Sequence, residues 1–187
     1  MNPRNIVLAF ITALLAANAS SKSVDYPLES TPEFFQSLTM GRYDLHVNVP
    51  HDYQIVQHSL EHKEHTIGFV LDDHNLNNWR EHIGVHVSVD TSESASAHIR
   101  RIQDYIIKEH PGAEILKSDI ARNSNGIQDS HTSLLFNDGT SDVVLAASYY
   151  SDNSTLTGVE VSVRVNKSVK RSLRKAEKMA RSIISLD

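Results

Sequence analysis

The sequence predicts an α+β fold: an antiparallel sheet of about six to eight strands with two long helices packed on it. Three patterns carry that expectation. From Val159 to Val165 every second residue is valine and the residues between are Glu160, Ser162 and Arg164, the period of two that sends all the valines to one face of a strand. From His82 to Val89 the same rhythm sets Ile83, Val85, Val87 and Val89 against His82, Gly84, His86 and Ser88. Two other stretches switch to a helical period. Ala95, Ile99, Ile102 and Ile106 form one stripe, and Val169, Leu173, Ala176, Ala180 and Ile183 form another.

At the N-terminus, Arg4 precedes an apolar run from Ile6 to Ala17 that only Thr12 interrupts, and Ala17-Asn18-Ala19 follows. A basic start, a short greasy core and a small-x-small site predict a cleavable secretory signal over residues 1–19. The run falls short of the ~20 residues that span a bilayer. The 187-residue chain contains no cysteine, so neither a disulfide framework nor a lipidated cysteine is available. Export without disulfides points to a periplasmic or secreted protein, and to a bacterial periplasm before a eukaryotic secretory path.

Residues 20–40 are expected to form a mobile leader with a short helix, because Thr31-Pro32-Glu33 places a cap and a proline ahead of Phe34 to Leu38. Residues 41–187 are expected to form a single domain. Tyr43 to Val49 alternates as a first strand, Tyr53 to His58 and Thr66 to Leu71 as the next pair, and Asp72 to Arg80 is a polar loop carrying the only tryptophan, Trp79. The first long helix is predicted over Ser92 to Glu109, with Asp90-x-x-Glu93 resembling a capping box and with His98, Arg101, Asp104 and Lys108 outside the apolar stripe. Pro111-Gly112 ends it. Strands follow at Glu114 to Arg122, Ile127 to Asn137 and the two arms of a hairpin between Val143 and Val165, whose first arm is apolar on both faces as an interior strand would be. The last helix is predicted from Lys167 to Leu186, capped by Asn166 or Ser168.

A net charge of −5 argues against a nucleic-acid binder. No Gly-x-Ser-x-Gly turn or cysteine nucleophile is present, and no carboxylate spacing forces an acid/base pair, so the chain reads as non-enzymatic. Histidine is the compositional outlier, with 11 in all, mostly between His46 and His86. His82 and His86 lie on one face of a strand but about 13 Å apart at ~3.3 Å per residue, too far for one ion. His58, His62 and His65 are better placed for zinc or copper, because a hairpin loop can gather them. Asp73-x-Asn75-x-Asn77 starts like a calcium loop, but Asn78 and Gly84 stand where the loop needs glycine and a bidentate glutamate.

Across the apolar stripe of the last helix, Lys170, Arg171, Arg174, Lys175, Lys178 and Arg181 form a basic arc in which Glu177 is the only acid. If both helices cover the apolar side of the sheet, then Asp44, His46, Asn48, His82, His86, Ser88, Glu160, Ser162 and Arg164 form a wet polar face on the other. That face and the basic arc are the predicted partner-binding surfaces, with His46, His82, His86, Glu160, Arg164, Lys170, Arg174 and Lys178 as the contact residues.

The segments GRYDLHVNVPHDY, EHPGAEILKSD and AASYYSDNSTLTGVEVSVR, with IISL closing the last helix, resemble the PsbP-like and DcrB-like fold family over Gly41 to Leu186. The resemblance implies an α/β sandwich whose members act mostly by binding partners. No site residue carries over from it. The chain therefore reads as a small exported accessory protein contacting another exported protein, with membrane-surface contact through the basic helix as a lesser expectation. The alternative is a histidine-based periplasmic metal binder or sensor.

Overall fold

The computed structural model describes residues 29–30, 35–40, 43–60, 63–71, 73–122 and 126–185. The expected signal segment lies outside them. Among the described residues, eleven strands and two helices follow in the order β1 (Glu29–Ser30), β2 (Phe35–Met40), β3 (Tyr43–Pro50), β4 (Tyr53–Leu60), β5 (Glu64–Leu71), β6 (Glu81–Val89), α1 (Ala95–Glu109), β7 (Glu114–Arg122), β8 (Gln128–Asn137), β9 (Asp142–Ser151), β10 (Thr155–Arg164), α2 (Val169–Ser182) and β11 (Ile184–Ser185). Seven strands build one antiparallel sheet in the order β4-β5-β6-β10-β9-β8-β7, and β1-β2-β3-β11 build a small second sheet. The α+β reading holds, with two helices on a seven-stranded sheet.

The helices sit on opposite faces of that sheet, which corrects the expectation that both cover one side. On the first face Ile83, Val85 and Val87 of β6 and Val159, Val161 and Val163 of β10 meet Ala176, Ala180 and Ile183 of α2 and its exit, together with Val47 and Val49 of β3. On the second face Val143, Leu145, Ala147 and Tyr149 of β9 and Leu134 and Phe136 of β8 meet Ala95, Ile99, Ile102 and Ile106 of α1. β9 is apolar on both sides because it is covered on both sides. The valine-rich arm, β10, is consequently buried along nearly its whole length rather than half exposed.

Three local expectations are also corrected. Phe35–Met40 is a strand paired with β3, with Gln36 opposite Val49 and Leu38 opposite Val47. A segment this short gains little as an isolated helix, and the open edge of β3 offers it backbone partners. Helix α1 begins at Ala95, capped by Ser94, whose Oγ accepts from the Ala97 amide at 3.2 Å; Asp90 has left the helix direction with φ of 52°. The last helix stops at Ser182, and Ile184–Ser185 pairs with β3 as β11. Its cap is Ser168, one of the two residues expected, whose Oγ accepts from the Arg171 amide at 3.2 Å. Ser168→Ala is expected to cost about 1 kcal/mol of stability, read as a lowered urea midpoint with unchanged slope.

Candidate functional site

Strands β6 and β10 are neighbours with Gly158 opposite His86 and Ser162 opposite His82. The alternation that sends their valines to α2 sends His82, His86, Glu160 and Ser162 to the other side, and α1 lies over that side. His86 is 6% exposed and Glu160 9%. The predicted polar docking face is therefore corrected at His82, His86, Ser88, Glu160 and Ser162: all five are buried. His46 is opposite Ser185 in the small sheet, and its side chain lies outside the described residues.

Beneath α1 these groups form a polar seam. The His86 ring stacks on His98 of α1 at 5.5 Å between centroids, and His98 lies 4.2 Å from the Tyr149 ring. Tyr149 donates its hydroxyl hydrogen to Glu160 Oε1 at 2.6 Å. His98 Nδ1 is 3.0 Å from Glu93 Oε2 and 2.8 Å from an Arg101 terminal nitrogen. It donates to the first when it carries the proton and accepts from the second when it does not. Thr66 Oγ1 stands 3.4 Å from His86 Nδ1. Burial pushes His86 down to about 3 and His82 down to about 4, so both are neutral at pH 7. Burial also lowers His98, against the pull of Glu93, and raises Glu160, against its hydrogen bond from Tyr149. Imidazole, phenol and carboxyl stand together here, yet the layers enclose them. Tyr149, Glu160, His86 and His98 are paired within that interior and hold α1 in register on the sheet, while His82 Nδ1 has no partner among the described residues.

Sequence reasoning placed His98 outside the helix stripe and did not weigh Tyr149 as a partner for Glu160. The first signal was present: His98 lies three residues after Ala95 and four before Ile102, both on the stripe.

Arg164 is also committed internally. A terminal nitrogen donates to Asp138 Oδ2 at 2.8 Å, and its guanidinium carbon sits 4.5 Å from the centroid of the buried Trp79 ring. Its Nε has no partner among the described residues. The Asp138 carboxyl, although burial alone would raise it, is held below its usual range by hydrogen bonds from Thr140 and Ser141 and by Arg164.

The basic arc of α2 does face solvent. Lys170, Arg171, Arg174, Lys175, Lys178 and Arg181 are exposed, while half-buried Glu177 accepts from Ser133 Oγ at 3.0 Å and so turns towards the sheet. Lys175 pairs with Glu81, which also accepts from Tyr53 at 2.5 Å. Where α2 begins, a cleft of about 590 Å³ is lined by Arg80, Arg164, Lys167, Arg171 and Lys175, with Glu81 as its acid. Cations and the positive end of the helix dipole add in this cleft, so it favours carboxylate or other anionic groups.

For the metal expectation, His58 contributes only its backbone, in β4 opposite Ile67; its side chain, like the whole of His62, lies outside the described residues, and His65 is half-buried on β5. Among the described residues no group of three potential ligands converges. In the loop that starts like a calcium site, Asn75 Oδ1 accepts from the Asn77 amide at 2.8 Å and Asn78 Oδ1 from the Asn75 amide at 2.7 Å. Those oxygens close the turn on itself.

No protein-family model matches the chain. No curated protein sequence matches it either. Among solved structures, it is similar to the Ran-binding protein Mog1p of Saccharomyces cerevisiae, with a TM-score of 0.53 and 10% identity over 80% of this chain and 93% of that one. At that identity the likeness is one of fold.

Proposed function

We propose that this chain is a small exported accessory protein that works by protein–protein contact and not by catalysis, docking an acidic segment of another exported protein along α2. The observation that carries the reading is the charge of that helix's outer face. It bears six exposed cations of which Lys175 alone is in an ion pair among the described residues, and it runs into a cleft lined by Arg80 and Lys167. Export rests on the N-terminal sequence, and the PsbP-like assignment rests on the quoted segments. The fold shared with a Ran-binding protein agrees with a binding role.

The test is a charge reversal on the exposed arc. Lys170→Glu/Arg174→Glu/Lys178→Glu is expected to leave the fold intact and weaken binding to an oligoglutamate probe at least tenfold. Reversing Arg100 and Lys108 on α1 is expected to leave that binding unchanged. Equal loss from both sets, or no loss from the first, overturns the docking surface. Wild-type binding is expected to fall steeply between ~50 and 200 mM salt, since the contact is screened. The histidine-based zinc or copper reading rests on His58, His62 and His65. Calorimetry with each ion separates it, because the accessory reading expects no heat at micromolar metal.

A further inference from the structure

Strand β7 closes one rim of the seven-stranded sheet, and among the described residues nothing pairs with its outer side. Residues 114–121 are all exposed. Of the five large apolar side chains exposed among the described residues, four gather here: Ile115, Leu116 and Ile120 on β7 itself and Ile107 on α1. Ile107 belongs to the same place because it follows Gln103 by one helical turn, and Gln103 Nε2 donates to Ser118 Oγ of β7 at 3.1 Å. An open strand edge with apolar side chains is a template for another strand. The opposite rim, β4, carries no charged residue to select a register.

β7 carries its own complement. Laid antiparallel against a second copy about a two-fold axis through Ser118, Glu114 comes opposite Arg122, Leu116 opposite Ile120 and Lys117 opposite Asp119, each pair occurring twice. Lys117 Nζ and Asp119 Oδ2 already lie 3.2 Å apart within one chain, half exposed, and are free to exchange partners across the axis. Sliding the strands by two residues either way sets Lys117 against Lys117 or Asp119 against Asp119, so the charges reject the neighbouring registers. The bulge between Ile115 and Lys117 ends the regular ladder. The regular pairing segment about the axis is therefore short, Lys117 to Asp119 on each copy, with Leu116 and Ile120 flanking it. We infer that β7 is a homodimer interface: two copies of this chain join edge to edge through Ser118, continuing the sheet across the axis and burying Leu116 against Ile120.

The absence of cysteine makes the test clean. Ser118→Cys introduces a single thiol that meets its counterpart on the axis, at the ~4.5–5.5 Å between Cβ atoms of directly opposed residues. Mild oxidation is expected to crosslink it into a covalent dimer, whereas Glu114→Cys, far from its own copy in this register, is expected to remain uncrosslinked. In sedimentation velocity, Lys117→Asp and Asp119→Lys are each expected to weaken self-association at least tenfold. An equimolar mixture of the two is expected to restore it, since each then meets its opposite charge across the axis. Wild type that stays monomeric at hundreds of micromolar overturns the inference. So does a dimer that survives both reversals, or equal crosslinking at positions 114 and 118.

Discussion

Replacing Gly158 with alanine is expected to destabilise the domain by more than about 3 kcal/mol, an apparent Tm drop on the order of 10 °C at this chain length. A Cβ at this position would stand 2.2 Å from Tyr149 Cδ1, 2.3 Å from Cε1 and 2.5 Å from Cγ. Those are ring atoms of a fully buried side chain, not the tip of a flexible one. The ring has nowhere to retreat, because His98 packs on it at 4.2 Å and its hydroxyl is tied to Glu160. Thermal or urea unfolding followed by circular dichroism reads the loss. Shrinking the obstacle separates the clash from a backbone effect: Gly158→Ala combined with Tyr149→Leu is expected to cost clearly less than the two changes summed. Strict additivity would mean that the ring is not what excludes a side chain here.

Acidification is expected to strip the protein of much of its stability by about pH 4.5, and the loss is expected to begin near pH 6.5, before carboxylates protonate. His82 and His86 have folded values of about 4 and about 3, below the ordinary 6.5 of the unfolded chain. Between those limits the unfolded state binds more protons, so their contribution is full above pH 6.5 and is lost as pH falls towards 4 and then 3. At ~1.4 kcal/mol per proton per pH unit the two together remove on the order of 5 kcal/mol by about pH 4.5, comparable with a whole domain's stability. Around His86 stand His98 and Arg101 from α1, both disfavouring its charge, and Thr66 from β5. Glu160 works in the opposite sense, since its raised value means that protonation favours the folded state. The measurement is urea stability at half-unit steps from pH 7 to 4. His86→Phe is expected to flatten the slope by about one proton, and a stability that does not change between pH 6.5 and 4.5 contradicts the account.

The strands and helices were legible in the residues because each repeats its pattern over several turns or pleats. The layer order was not, because polar residues alternating with valines look the same whether water or a helix covers them. His82, His86 and Glu160 read as wet; Tyr149, Thr66, His98 and the packing of α1 make His86 and Glu160 dry, and His82 is buried beside Trp79. One clue pointed the right way: β9, apolar on both faces, can only sit in a sheet covered twice. Phe35–Met40 and Ile184–Ser185 were missed for a different reason. Both are short, and both are strands only because β3 lies beside them, a long-range condition that local sequence does not record. The basic outer face of α2 was legible in full, since charges at helical spacing opposite an apolar stripe have little else to do but face outward.

Roofing both sides of the main sheet leaves evolution few places to write. Its central strands are sealed into the interior, and substitutions there alter how firmly the molecule holds together, not what it meets. Specificity has to be inscribed on the backs of two helices, in the cleft where the second begins and along the margins of the sheet. Drift at those positions redirects the protein without loosening it.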